Sequence, residues 1–153
     1  EDGDCKEGCS LDNDGQKVIV KDLSDTQKEI IAEKINAKTG LNLSVEDIEG
    51  KLALRAYLSN GRWALVKYMP DSASEKAIDV LGAKCDERNC SVELKEVSVE
   101  GKAKLVYEIK RDRDSRVLLL FKKKMPITAQ VDAETGKVAS IKRPWWSFLA
   151  KQN

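Results

Sequence analysis

The sequence predicts an α+β fold: an antiparallel meander sheet with a helix packed on it, repeated as two helix-plus-sheet units in tandem. Three observations carry this expectation. Two segments open on a capping signal and close at a glycine: Ser24-Asp25-Thr26-Gln27 leading to Gly40, and Ser72-Ala73-Ser74-Glu75 leading to Gly82. Asn60-Gly61 sits between two apolar runs, as in a hairpin turn. From Val92 to Ile141, short alternating runs are separated by polar turns.

In chain order, residues 1–17 form an acidic segment containing Cys5 and Cys9. Asp12-Asn13-Asp14-Gly15 hints at a calcium loop, but its closing glutamate position holds Lys21, so a solvated turn is expected. Residues 18–70 are read as a helix-plus-hairpin unit. Val18-Ile19-Val20 suits a short strand, and the helix then runs to about Thr39 with Ile31 and Ile35 four apart. Gly40 is expected to supply a left-handed cap. In the hairpin, a two-residue Asn60-Gly61 turn sets Leu58 opposite Trp63, Ala56 opposite Leu65 and Leu52 opposite Met69, as one apolar face. Tyr57, Arg55, Val66 and Tyr68 then share the more mixed face.

Residues 71–143 are read as a helix-plus-meander unit. Ala73, Ala77, Ile78 and Leu81 make a helical stripe. Strands are expected at about 91–99, 103–111, 116–123, 127–133 and 137–142. The turns fall at Glu100-Gly101, Asp112-Arg113-Asp114 and Glu134-Thr135-Gly136. Val117–Phe121 is apolar on both faces, as a central strand would be. Residues 144–153 form a Trp-rich tail.

At 153 residues the chain suits one domain or two small units sharing a core. The formal net charge of +1 provides no global field for nucleic acid. Lys122-Lys123-Lys124 with Lys110, Arg111, Arg113 and Arg116 lacks interleaved surface aromatics, so a solvated strand end is expected and no nucleic-acid partner. The chain holds no histidine, which excludes Ser-His-Asp, Cys-His and His-based zinc chemistry. Its richness in Lys and Glu resembles a hyperthermophile composition.

The four cysteines are the sharpest chemical feature. Cys5 and Cys9 are spaced C-x3-C, and Cys85 and Cys90 C-x4-C; neither is the C-x2-C knuckle of a four-thiolate zinc site. The even count favours two disulfides, with all three pairings open. No metal or other cofactor is expected. In the tail, Trp145, Trp146 and Phe148 follow Lys142-Arg143, which suits a partner or membrane-interface contact, or a tail folded back onto the sheet.

The stretch Val131-Asp132-Ala133-Glu134-Thr135-Gly136-Lys137-Val138 resembles the closing hairpin of the PepSY domain, apolar-x-Asp-Ala-x-Thr-Gly-x-apolar. Leu105-Val106-Tyr107-Glu108-Ile109 is similar to that family's middle strand. The resemblance covers about residues 71–142, and the first half reads as a diverged second copy. It implies an extracytoplasmic location, no catalytic activity and the binding or inhibition of proteases. The expected function is thus a non-enzymatic extracytoplasmic module binding another protein, secreted or anchored through a segment before Glu1. The narrower alternative is an inhibitor or chaperone of a secreted protease. A further alternative, from the thiols, is a cytoplasmic redox or metal-binding protein.

Overall fold

The computed structural model describes residues 3–4, 9–13, 16–32, 35–49, 51–78, 90–117, 121–142, 146 and 150–152. The chain folds mostly as β-structure, which corrects the α+β expectation. Among the described residues there is one helix, the short α1 (Pro70–Lys76). The strands are β1 (Gly3–Asp4), β2 (Cys9–Asn13), β3 (Gln16–Asp22), β4 (Lys28–Ala32), β5 (Ile35–Thr39), β6 (Leu43–Ile48), β7 (Lys51–Tyr57), β8 (Trp63–Leu65), β9 (Cys90–Val99), β10 (Lys102–Val117), β11 (Phe121–Asp132), β12 (Val138–Lys142) and β13 (Ala150–Gln152). They make a four-stranded sheet, β1-β6-β7-β8, and a nine-stranded sheet ordered β12-β11-β10-β9-β5-β4-β3-β2, with β13 also on β10. The described neighbours are antiparallel except β5 and β9, which run parallel.

The helix expected over residues 24–39 is absent, and β4 and β5 stand in its place. Ile30 and Ala32 are buried on β4, and Ile35, Ala37 and Thr39 on β5, a period of two and not of 3.6. β-Branched isoleucines at positions 30, 31 and 35 suit a pleated surface better than a helix. The supposed capping box is a hairpin turn. Leu23 N and Ser24 N both donate to Gln27 O, and Thr26 N donates to Ser24 Oγ at 3.3 Å. Gly40 has no positive φ, so it is no left-handed cap.

Register carries the core across the large sheet. Val20 stands opposite Ile30, Ile30 opposite Ala37, Ala37 opposite Val92, Val92 opposite Ile109 and Ile109 opposite Ala129. All six are buried and belong to one hydrophobic cluster. A one-residue slip anywhere along this row would turn its strand's apolar set to the other face. The units expected at 18–70 and 71–143 therefore contribute strands to one sheet and side chains to one core.

The β7–β8 hairpin forms one register away from the expected one. Tyr57 pairs with Trp63, Ala56 with Ala64 and Arg55 with Leu65. Gly61 N donates to Leu58 O and Leu58 N to Arg62 O, and Gly61 takes φ 85°. The loop is thus the three residues Ser59-Asn60-Gly61, a β-turn over 58–61 closed by a glycine bulge and one residue longer than a two-residue loop. Leu54, Ala56, Leu58, Ala64 and Val66 become the buried face. Tyr57, Trp63, Arg55 and Leu65 lie on the other.

α1 begins at Pro70 and not at the Ser72 box. Met69 is its N-cap without a side-chain bond, and proline fits the first helical position because that N–H lacks an intrahelical partner anyway. Ala73 and Ala77 are buried in the core. The remainder of the expected helix, with Leu81 and Gly82, lies outside the described residues.

The meander is simpler than expected. Asp112-Arg113-Asp114 is no turn: Asp112 pairs with Pro126 and Asp114 with Lys124 inside one long hairpin. That tripeptide holds no glycine or proline to enforce a turn, and the pairing with β11 carries it through as strand. Val117 and Phe121 face each other where β10 ends and β11 begins, Val117 also pairs with Ala150 of β13, and residues 118–120 of this run lie outside the described residues. Pro126 is tolerated because β12 reaches only to Thr128, leaving β11 without a described outer neighbour there. Glu100-Gly101 turns as expected, with φ of 52° and 78°.

The turn at 133–136 bolts the two sheets together. Asp132 Oδ1 accepts from Glu134 N at 2.8 Å and Thr135 N at 3.1 Å, and Thr135 Oγ1 accepts from Lys137 N. Gly136 takes φ 77°. The N–H groups of Lys67 and Tyr68 both donate to Ala133 O, and Ala133 N donates to Leu105 O. Arg62 donates to Glu134 through its two terminal guanidinium nitrogens, at 3.1 and 3.3 Å.

Candidate binding groove

An open groove of about 790 Å³ separates the β3–β4 turn from the outer face of the β7–β8 hairpin. Asp22, Leu23, Ser24, Asp25 and Lys28 form one wall, and Asn42, Leu43, Tyr57 and Trp63 the other. The one-residue shift in the hairpin builds the aromatic wall. It pairs Tyr57 with Trp63 on the outer face, ring centroids 5.0 Å apart and planes tilted by 58°. The Arg55 guanidinium lies 4.6 Å from the centre of the Trp63 ring. Arg55 is held there by Ser44 Oγ at 3.2 Å and by Glu46 at 3.7 Å. Tyr57 and Leu23 are each 42% exposed, a large apolar area for a surface position.

The polar groups of the groove divide into committed and uncommitted ones. Lys28 Nζ sits 2.6 Å from Asp22 Oδ1, so those charges cancel. Ser24 Oγ is held by Thr26 N. The side chains of Asp25, Asn42 and Tyr57 make no hydrogen bond or ion pair. Among its described lining residues the groove thus offers the free Asp25 carboxylate, the free Asn42 amide and the Tyr57 phenol, beside the Trp63 ring.

Elsewhere four carboxylates and one phenol are set by their surroundings. Burial pushes the Glu108 carboxyl up, but hydrogen bonds from Lys95 at 2.6 Å, Gln130 at 3.1 Å and Lys110 at 3.3 Å outweigh it and hold the group at about 2. The hydroxyl and amide of Ser59 hold the Glu96 carboxyl below its ordinary value, tying the β7–β8 turn to β9. Burial, with Asp71 adding to it, raises the Tyr107 phenol. Asp132 and Glu134, the carboxylates nearest the PepSY-like turn, are occupied by backbone N–H groups and by Arg62.

No family model, characterised protein or solved structure matches this chain.

Cys9, Cys90 and Trp146 are not among the described residues that line the groove. Cys9 opens β2 opposite Val20, and Cys90 opens β9 opposite Arg111. Cys90 is disulfide-bonded and half-buried against the core. Cys5 and Cys85 lie outside the described residues. Trp146 is half-buried and packed against the core, while Trp145 and Phe148 lie outside the described residues. No cluster of three or more metal-ligating side chains occurs among the described residues, and no described helix is long and apolar enough to cross a membrane.

Sequence reasoning missed the groove. Its residues come from positions 22–28, 42–43, 57 and 63, which only the β3–β4 turn and the shifted hairpin bring together. One signal was present: Tyr57 and Arg55 fall on the hairpin face that alternation leaves outward.

Proposed function

We propose that the chain is a non-enzymatic, extracytoplasmic module that binds another protein through the aromatic groove. The observation that carries the reading is the exposed Tyr57–Trp63 pair lining a groove with uncommitted polar side chains. Tyrosine and tryptophan bring large contact area with a polar handle and dominate protein-contact energetics. Outside the groove, Glu96, Glu108, Asp132 and Glu134 are tied into hydrogen bonds and ion pairs, which favours binding over acid–base chemistry at those positions. The disulfide at Cys90 supports an oxidising compartment.

Selection of displayed random peptides on the immobilised chain tests this reading. Enriched peptides should bind the double variant Leu23→Ser, Tyr57→Ser at least about tenfold more weakly, as expected for loss of interface anchors. They should bind Ile141→Ser, altered on the exposed β12, as they bind the parent chain. Equal binding to all three would place recognition elsewhere.

A further inference from the structure

We propose that the groove takes an extended segment of the partner protein carrying an arginine or lysine. The cationic end lies at Asp25 and the aliphatic stem along the Tyr57 ring. The inference rests on the protein-binding reading above and gives the partner its chemistry.

Charge is the first argument. Asp22 and Lys28 neutralise each other at 2.6 Å, which leaves Asp25 as the uncommitted ionised side chain among the described residues lining the groove. With Arg55 paired to Glu46, the described lining residues present one unpaired negative charge, on the wall facing Tyr57, which favours a cationic ligand there. The rings supply the second argument. Arg55 already stacks its guanidinium on Trp63, so that ring holds a cation of the chain itself and the Tyr57 ring is the open one. Tyr57 remains 42% exposed, and a tyrosine face attracts an ammonium or guanidinium while its edge packs the methylene stem. Third, Asn42 keeps a free amide donor and acceptor on the same wall. That is the complement of a peptide unit in an extended segment. Leu23, on the opposite wall, offers apolar surface to a neighbouring side chain. A neutral glycan could use the rings, Asn42 and hydrogen bonds to Asp25, but it would gain no net charge attraction and so no salt dependence of that kind.

The test uses blocked Gly/Ser peptides of about nine residues, each with one leucine beside a central arginine, glutamine or glutamate. They are titrated into the 15N-labelled full chain at low salt, with the amide signals of residues 22–28, 57 and 63 and the Trp63 indole followed. The arginine peptide should move these signals with a dissociation constant about tenfold below that of the glutamate peptide, from an exposed ion pair plus ring contact. Asp25→Asn should shrink that difference to about twofold, and raising the salt to about 0.5 M should act the same way. If all three peptides move these signals equally, the basic segment is wrong while protein binding at the groove stands. If no peptide moves them, both fall; if tri-N-acetylchitotriose does so instead, the groove is a glycan site.

Discussion

Gly136 shows how one residue can serve two elements at once. Its φ of 77° is set by the hairpin turn, where Gly136 N donates to Asp132 O at 2.8 Å. Its missing side chain is required by a different segment, because a Cβ there would stand 2.7 to 3.0 Å from three atoms of the Tyr68 ring. Gly101 separates the two demands. It has nearly the same φ, 78°, with nothing within 4 Å of a built Cβ. Gly101→Ala should therefore cost only the left-handed strain, about 1 kcal/mol. Gly136→Ala should cost about 3 kcal/mol, strain plus overpacking against Tyr68. Urea unfolding midpoints of the two variants check this; equal losses would mean that the Tyr68 ring gives way freely. The same turn carries the PepSY-like residues, and local chemistry explains each of them. Asp132 and Thr135 accept backbone N–H groups, and Gly136 supplies the positive φ and the room for Tyr68.

At the scale of elements, β4 and β5 expose the limit of pattern reading. Ile31 and Ile35 fit a helical stripe, while Ile30, Ala32, Ile35 and Ala37 fit a pleated one, and Ile35 belongs to both. Ser24 followed by Gln27 opens a helix or turns a hairpin with equal ease, because Ser24 Oγ accepts a nearby N–H in either case. Tertiary context decides, since β5 lies between β4 and β9 and completes the core row. The variants differ sharply under the two readings. Ile30→Ala removes a fully buried side chain and should cost about 3 kcal/mol. Ile31→Ala alters the half-buried face and should cost less than about 1 kcal/mol. A helix carrying its stripe on Ile31 and Ile35 would reverse that order in a denaturation series. The β7–β8 hairpin, β9 and the turns at Glu100-Gly101 and Glu134-Thr135-Gly136 were legible, because turn glycines and alternation act over a few residues. The hairpin's register was not, because Asn60-Gly61 suits both a two-residue turn and a glycine bulge. That single ambiguity also hid the groove, since the register decides whether Trp63 joins the core or joins Tyr57 outside.

For the whole molecule, the parallel pairing of β5 with β9 decides whether the two halves are separable. It sets Ala37 against Val92, Lys38 against Glu93 and Thr39 against Leu94, across the boundary that two tandem units would have left open. α1 contacts β4 and β5 from one half and β10 and β11 from the other. The turn at 133–136 adds two backbone hydrogen bonds and the Arg62–Glu134 pair between the β7–β8 region and β11. Residues 18–70 alone would leave β5 with an unpaired edge and expose Ile30, Ala37 and Thr39 on the face now buried. Residues 71–143 alone would make β9 an edge and uncover Leu94 and Tyr107, both fully buried in the intact chain. An edge of that length with an open apolar face favours aggregation over folding. Produced separately, both segments should give collapsed amide dispersion in 15N spectra, whereas the intact chain should unfold in one cooperative transition. A well-dispersed spectrum from either segment would show that its half folds without the shared sheet. The β5–β9 pairing would then be a docking contact between two units and not the centre of one core.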